Sequence, residues 1–287
     1  MVPKLGAVPL RALDTPMLNM FYAELLESGR ADGKGGLSPT TIRSVHVAVS
    51  KALGGAIKWG RVARNGASVA DAPSPARRQT DVWSPEQLRT FLKNVASERL
   101  YPMWLVFMTT GLRRGELAGL RWRDLDLDAA RLTVAQTRVS VGCRVDTTTP
   151  KSDSSKRSFA LDPATVKALK AWKSQQAQER LAWGPAWTDT GLVFGKADGT
   201  AYHPQRFTQM FASKAKAAKL PPIRLHDTRH SYASACLDAG VPLKVLSERL
   251  GHSSIAITAD IYQHVSEKVD QDSADRASSF ILKGAAR

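Results

Sequence analysis

The chain has 287 residues, with 41 Lys and Arg against 26 Asp and Glu, and a formal net charge of +15. Because 43% of the residues are hydrophobic, the chain can build packed cores, which excludes a disordered basic tail. Its two cysteines, Cys143 and Cys236, stand far apart, which excludes a disulfide framework and a cysteine zinc site. Apolar stretches are shorter than the ~20 residues of a membrane span, and no signal-type segment is present. The sequence therefore predicts a soluble, cytoplasmic protein.

Length and charge together predict two domains that bind a polyanion. Roughly 150 residues per domain gives about two domains. Residues 1–82 hold 11 basic and 6 acidic side chains, so both parts of the chain are basic. Lys and Arg that neutralise phosphates gain affinity by releasing counterions, and nucleic acid is therefore the expected partner.

The first predicted domain, residues 1–70, is helical. Pro and apolar spacing predict one helix over 16–30, and Ser-Pro-Thr-Thr at 38–41 predicts the start of a second. Two apolar stripes support these helices: Met17, Met20, Phe21 and Leu25, then Ile42, Val45, Val49, Leu53 and Ile57. Residues 71–82, which contain two prolines and a basic pair, predict an interdomain linker.

The second predicted domain, residues 83–275, combines helices with a few strands. Alternation and β-branched residues predict three strands, at 131–134, 137–141 and 157–161. Apolar spacing predicts the following helices: one starting at Ser84, then 103–110, 163–183, 204–218, 225–240, 242–250 and 254–275. The expected fold class is mainly α with a small antiparallel β-sheet, and residues 276–287 form a C-terminal tail.

The sequence His-Asp-Thr-Arg-His at 226–230 is the most suggestive short motif. His226 and Arg229 are three apart on a helix, so they project from one face, and a guanidinium can bind two phosphate oxygens. The motif also resembles the zinc-protease pattern H-E-x-x-H, with Asp227 in place of Glu. An Arg beside two ligands would oppose a dication, however, and no third ligand stands at a typical spacing. A plain helix start with a buried histidine and a surface arginine is the third interpretation.

Three further motifs place polar side chains at turns or helix ends. Thr-Gly-Leu-Arg-Arg-Gly-Glu-Leu at 110–117 sets Arg113 at a tight turn, with Glu116 three residues later to hold it. Leu-Gly-His-Ser-Ser at 250–254 presents His252 at a helix junction. Asp-Ile-Tyr-Gln-His at 260–264 places Tyr262 near the end of an amphipathic helix. Each motif is weak alone, but their joint presence and order are not expected by chance.

In this order the motifs resemble those of the tyrosine recombinases, the phage-integrase family, over about residues 5 to 275. The resemblance implies a helical core-binding domain that lacks its first helix, followed by an α+β catalytic domain. The active-site residues that it implies are Arg113, Lys151, His226, Arg229, His252 and the nucleophile Tyr262, with Glu116 supporting Arg113. Lys151 is preferred to Lys156, because Thr-Pro-Lys-Ser has the context of a hairpin turn.

The implied function is site-specific cleavage and rejoining of DNA through a 3′-phosphotyrosine intermediate, for integration or excision of mobile DNA. Two arginines would neutralise the phosphate, so neither a metal nor another cofactor is expected. The covalent phosphotyrosine would keep the energy of the broken bond, so ATP is not expected either. Lys151 would protonate the leaving 5′ oxygen, and His226 would assist proton transfer. Two alternatives stay open: a type IB topoisomerase-like relaxing enzyme, and a catalytically silent DNA-binding protein.

The implied partners are double-stranded DNA at attachment or recombination sites, further copies of the chain in a homotetramer, and accessory directionality or DNA-bending proteins. The basic domains would close around the duplex, while no membrane is involved. The apolar tail residues Phe280, Ile281 and Leu282 would dock on a neighbouring protomer or on their own domain.

Overall fold

The computed structural model describes residues 2–74, 81–142, 144–149, 156–252, 254–255, 258–259 and 278. Lys151, Tyr262, the tail cluster at 280–282 and most of the predicted helix 254–275 lie outside these residues. Contacts divide the chain into two compact units, Met1–Gln79 and Thr80–Arg287. Within the described ranges, no helix is both long and apolar enough to cross a membrane.

The first unit is helical, as predicted. It contains α1 (Val2–Leu5), α2 (Thr15–Ser28), α3 (Pro39–Lys58) and two 3-10 turns, Leu10–Ala12 and Gly66–Val69. Both long helices begin at a side-chain cap that satisfies a free backbone N–H. The Asp14 carboxylate accepts from the Met17 N–H, and the Ser38 hydroxyl accepts from the Thr41 N–H.

The two long helices bury one core between them. Its members are Leu18, Phe21, Tyr22 and Leu25 from α2, Ile42, Val49 and Leu53 from α3, and Ala67. The predicted apolar stripes were wrong at two positions, since Met20 is 74% exposed and Ile57 is 38% exposed. Met20 is two residues from the buried Leu18, about 200° around the helix, and therefore faces the opposite side.

The second unit contains seven helices among its described residues. They are α4 (Pro85–Asn94), α5 (Tyr101–Thr110), α6 (Arg114–Gly119), α7 (Pro163–Trp183), α8 (Pro204–Ala217), α9 (Asp227–Asp238) and α10 (Leu243–Leu250). The almost wholly apolar α5 is buried in the main core. Trp104 of α5 joins Trp83, Phe91 and Phe211 in an aromatic cluster, in which the contacting ring centroids are 5.2–6.3 Å apart.

Five short strands form two antiparallel sheets rather than the single sheet that the sequence predicts. The strands are β1 (Leu125–Asp126), β2 (Arg131–Val134), β3 (Thr137–Val141), β4 (Arg144–Thr148) and β5 (Arg157–Ala160). One sheet has the order β1-β2-β5, and the other is the hairpin β3-β4. In the first sheet Leu132 pairs with Phe159, and Val134 pairs with Arg157. Two strands were not predicted: β1, which has two residues, and β4, whose Arg-Val-Asp-Thr-Thr sequence lacks an apolar face.

Candidate active site

A tight turn between α5 and α6 positions Arg113. Gly111 ends α5 in the left-handed conformation, with φ +62°, and a Cβ there would lie 2.6 Å from the Tyr232 Cδ1 atom. Only glycine fits this turn without strain, because L-residues avoid positive φ and the space is filled. Arg113 follows in an extended conformation and precedes the first residue of α6. The turn therefore fixes where the guanidinium leaves the backbone.

Glu116 holds Arg113, as the sequence predicts. The Arg113 Nη1 donates to Glu116 Oε1 at 2.8 Å, and the Arg113 backbone N–H donates to Oε2 at 2.8 Å. Arg113 Nη2 donates to the Gly251 carbonyl at 2.9 Å. The Arg113 side chain is 37% exposed, so the guanidinium is anchored on its inner side and reaches solvent on its outer side.

Arg229 lies at the start of α9 and connects two turns that are distant in sequence. It is 3% exposed. Its Nη1 donates to the Gly111 carbonyl at 2.7 Å, and its Nη2 donates to the Leu250 carbonyl. The interpretation of this residue as an ordinary surface arginine was wrong. Arg113 and Arg229 therefore converge on the same two chain reversals, after α5 and after α10.

His252 follows the second of these turns and is held neutral at pH 7. Gly251 ends α10 in the left-handed conformation, with φ +65°, and places His252 beside the two arginines. The His252 Nδ1 is hydrogen-bonded to Thr258 Oγ1 at 2.8 Å. Burial first, and then the positive charges of Arg229 and Arg113, lower the pKa of His252 to about 4.

His226 and His230 stand one helical turn apart at the start of α9. Their rings are perpendicular, with centroids 5.5 Å apart. Burial lowers the pKa of both imidazoles, and neighbouring positive charges, including Arg229, add to the effect. Both side chains are therefore neutral at pH 7, and His226 can accept a proton.

The zinc-protease interpretation of residues 226–230 has no support in the geometry. The Asp227 carboxylate is buried and accepts hydrogen bonds from the backbone N–H and guanidinium of Arg224. It therefore serves the fold and is not directed at a ligand. Among the residues that the structure describes, no group of three or more His, Cys, Asp or Glu side chains could hold a metal ion.

Arg157 is a site neighbour that the sequence analysis missed. It opens β5 with a buried side chain, and its Nη1 and Nη2 donate to Glu116 Oε1 and Oε2 at 2.9 and 2.8 Å. Burial alone would raise the pKa of Glu116, but hydrogen bonds and charge from Arg157 and Arg113 lower it to about 2. The strand pattern carried a signal, since Phe159 points inward and a residue two positions earlier must share its face.

Tyr232 lies against the turn at Gly111, and its environment suits structure better than nucleophilic attack. It is 9% exposed, and its hydroxyl accepts a hydrogen bond from Arg249 Nε at 3.0 Å. Burial, together with the neighbouring Cys236, raises the pKa of Tyr232 to about 12. Lys156, the lysine that the sequence analysis set aside, is exposed directly before β5.

Comparison with known proteins identifies the family of the chain. The model of the phage integrase family matches residues 82–268. The chain belongs to the phage integrase family. All seven implied site residues of this integrase-family chain, from Arg113 to Tyr262, fall within the matched range.

Individual relatives are similar over nearly the whole integrase-family chain. A tyrosine recombinase XerC-like protein of Caldanaerobacter subterraneus subsp. tengcongensis is 26% identical over 297 residues, covering 97% of this chain and 74% of its own length. The ICEBs1 integrase of Bacillus subtilis is 27% identical over 248 residues, covering 86% of this chain and 67% of its own length. These similarities confirm the predicted class of enzyme, a site-specific recombinase.

Solved structures share the fold. The Tn1549 transposon integrase, in complex with transposon right end DNA, aligns with a TM-score of 0.77 at 20% identity, covering 96% of this chain and 89% of that one. A lambda integrase fragment aligns with a TM-score of 0.64 at 14% identity, covering 91% of this chain and 84% of the fragment. The predicted fold class, mainly α with a small antiparallel sheet component, is confirmed, while the roles of single residues stay predictions.

Proposed function

We propose that this chain recombines mobile DNA at specific sites, cleaving and rejoining double-stranded DNA through a covalent bond between Tyr262 and a 3′ phosphate. One observation above all supports the proposal. Arg113, Arg229 and His252 meet at the turns after α5 and α10, which places two fixed positive charges beside a neutral imidazole. Such an arrangement suits a pentavalent phosphate, whose negative charge is spread over its non-bridging oxygens.

The two arginines would bind the phosphate and stabilise its charge. A guanidinium has five N–H donors, and the side chain of Arg113 uses two of them toward Glu116 and Gly251. Its exposed edge remains for phosphate oxygens. A neutral His252 adds an N–H donor without adding charge. With the phosphate neutralised by side chains, the reaction needs no divalent ion and no other cofactor.

Tyr262 would attack phosphorus, forming the bond between its phenolic oxygen and phosphorus while the bond from phosphorus to the 5′ oxygen breaks. His226, held neutral by burial, would accept the phenolic proton, and Lys151 would donate a proton to the 5′ oxygen. One phosphoester replaces another, so ATP is not consumed. Rejoining is the reverse reaction with a 5′ hydroxyl of the partner strand.

The partner is double-stranded DNA that carries a recombination site. The similar Tn1549 integrase is bound to transposon right end DNA, and the lambda integrase fragment is a dimer on a core site. For this chain we expect a homotetramer on paired sites, accessory proteins that set direction, and action on DNA in the cytoplasm of a bacterial host. The basic composition of both parts of the chain supports binding that weakens steeply with salt.

The test is covalent capture on DNA. The probe is a library of nicked duplex oligonucleotides with a randomised core, in which the short fragment that carries the released 5′ hydroxyl diffuses away after cleavage, and its loss prevents rejoining. We expect an SDS-resistant protein–DNA adduct that forms equally in EDTA and is absent for Tyr262→Phe. Tyr202→Phe is the matched control and keeps the adduct.

The outcomes separate the function classes. Sequencing the captured strands should return a limited set of cores, as a site-specific enzyme requires. An adduct with no sequence preference, together with relaxation of a plasmid that lacks those cores, would indicate the topoisomerase-like alternative. Retention of the adduct by Tyr262→Phe would refute the assignment of the nucleophile.

A further inference from the structure

Arg157 occupies an enclosed position at the first residue of β5. Its side chain is 7% exposed and donates three hydrogen bonds to two partners. Two go to the carboxylate oxygens of Glu116, and the third runs from Nε to the Arg249 carbonyl at 2.6 Å. A buried guanidinium needs a carboxylate partner, because an uncompensated charge in the interior is costly.

Both partners of Arg157 belong to the frame of the candidate site. Glu116 also accepts hydrogen bonds from the Nη1 and backbone N–H of Arg113. Arg249 directly precedes Leu250, whose carbonyl accepts from Arg229. Arg157 is thus linked to Arg113 through the Glu116 carboxylate, and to Arg229 through the turn after α10.

The contact with the second turn is also steric. A Cβ on Gly251 would lie 3.0 Å from both Cδ and Nη1 of Arg157. The guanidinium therefore packs against the backbone that leads into His252. Movement of Arg157 would move this turn, and with it the carbonyl that holds Arg113.

Charge gives Arg157 a second effect. Glu116 is paired with two guanidinium groups, and Arg157 takes both of its oxygens in the bidentate geometry. Without Arg157, the carboxylate would be free to pair with Arg113 alone and to neutralise it. With Arg157 present, Glu116 is shared between two guanidinium groups, so less of the positive charge of Arg113 is compensated and more remains to attract a phosphate.

We propose that Arg157 is a positioning residue for DNA cleavage, which orients Arg113 through Glu116 and fixes the turn before His252 through the Arg249 carbonyl. The proposal rests on the proposed function, because it concerns the same phosphate. Arg157 touches neither the DNA nor Tyr262 in this scheme. It acts only by keeping the phosphate-binding groups in place and charged.

The second unit offers a control with the same kinds of partner, a carboxylate bound by two nitrogens and a backbone carbonyl, in a less buried position. Arg99 donates from Nε and Nη2 to the two oxygens of Glu179, both at 2.6 Å, and from Nη1 to the Gly195 carbonyl at 3.1 Å. Neither partner contacts Arg113, Arg229 or His252 in the interactions described above. Comparing Arg157→Lys with Arg99→Lys therefore separates positioning of the site from the general loss of a bidentate ion pair.

The experiment measures single-turnover adduct formation on a nicked duplex whose core is taken from the captured strands, with DNA binding measured by gel shift. We expect Arg157→Lys to cleave about 10²-fold more slowly at saturating protein, as for a small misplacement of reacting groups. Its Kd for DNA should stay close to that of the unmodified chain. Arg99→Lys should cleave at nearly the unmodified rate.

Modified phosphates identify the group through which Arg157 acts. A methylphosphonate at the scissile position lacks one negative charge, so the defects of Arg157→Lys and Arg113→Lys should shrink together on this probe. A 5′-bridging phosphorothiolate has a leaving group that needs no proton. If that probe alone restored Arg157→Lys, the residue would act through Lys151 and the proposal would fail.

Two further outcomes keep the test decisive. If Arg157→Lys does not fold, the double variant Glu116→Gln, Arg157→Gln takes its place, because it removes both buried charges. The rate of adduct formation by this double variant on the methylphosphonate probe is then measured in place of that of the single variant. Unchanged cleavage by a folded Arg157→Lys overturns the proposal while the function stands. Failure of the unmodified chain to form any adduct would instead refute the proposed function itself.

Discussion

The two units of the chain are both basic, yet they use their charged side chains differently. In the first unit the described ion pairs lie at the surface: Lys4 with Glu24, and Arg30 with Asp32, with exposed fractions between 39% and 52%. In the second unit the chain buries charge. Among the residues that the structure describes, four charged side chains are buried, and all belong to this unit: Glu116, Arg157, Asp227 and Arg229.

The difference shows which charges hold a site together. Exposed pairs contribute little to stability because water screens them, and they leave the cations available to a polyanion. Buried pairs are expensive to break and therefore hold the surrounding groups at fixed positions. Net charge alone gives no indication of this division of roles.

The largest effect is expected for Glu116→Gln, which removes the shared partner of Arg113 and Arg157. Breaking one side of a buried ion pair costs about 3–5 kcal/mol, because the remaining charge is left uncompensated. Urea unfolding followed by tryptophan fluorescence measures this, since Trp83, Trp104 and Trp172 are buried in the second unit. Glu24→Gln, at the exposed pair of the first unit, should change the hydrogen exchange of α2 very little. A loss of stability in Glu24→Gln as large as that in Glu116→Gln would contradict the difference between exposed and buried ion pairs.

Arg229→Lys is expected to reduce cleavage about 10²–10³-fold, the loss typical of one transition-state donor. A lysine cannot donate to the Gly111 and Leu250 carbonyls and also present a planar fork to a phosphate. Single-turnover adduct formation is the measurement. Arg206→Lys, at an exposed position on α8, is the control and should cleave normally. Normal cleavage by Arg229→Lys would remove this residue from the site.

Glycine substitutions should have opposite signs in the two units. Gly111→Ala should destabilise the second unit by about 2–4 kcal/mol, because it combines a positive φ with a Cβ placed 2.6 Å from Tyr232. Gly54→Ala, in the middle of α3, has no atom within 4 Å of its new Cβ and should stabilise the first unit by about 0.5–1 kcal/mol. Hydrogen exchange, resolved by unit, reports both values. A stabilising Gly111→Ala would show that the turn is not tightly packed.

The last effect concerns the dependence of stability on pH. The pKa of His252 in the fold is about 4, below its ordinary 6.5, so the unfolded chain takes up a proton first and stability falls as pH decreases from 6.5 toward 4. Glu116, with a pKa lowered from 4.5 to about 2, adds a loss only below pH 4.5. In His252→Gln, the urea midpoint of the second unit should therefore change less with pH between 6.5 and 4.5 than it does in the unmodified chain. Some slope should remain, because His226 and His230 also have lowered pKa values. An unchanged slope would argue against a buried, neutral His252.

Local signals in the sequence were sufficient for most of the fold. The helix α7 has the predicted bounds, because Asp162 and Pro163 mark its start and Gly184 its end. The predicted family, fold class and class of enzyme are confirmed, since the motifs that carry them are short and ordered along the chain. The strand pairing was harder to predict. Nothing local indicates that β5 pairs with β2 rather than with its nearer neighbour β4.

The candidate site shows the same division between local and distant contacts. The contact of Arg113 with Glu116 was predictable, because it spans three residues. The Arg157 pair was not predicted, because its two members are 41 positions apart and meet only in the folded chain. The roles of Lys151 and Tyr262 stay predictions that rest on the family resemblance.

The pairing of β2 with β5 also has a consequence for chain topology. Val134 and Arg157 are cross-strand neighbours, so the chain leaves the three-stranded sheet after Val134 and rejoins it opposite the same residue at Arg157. The hairpin β3-β4 turns at Gly142, an exposed glycine where an added Cβ would meet no atom within 4 Å. The polypeptide can therefore be opened or lengthened at this tip without shifting the register that seats Arg157.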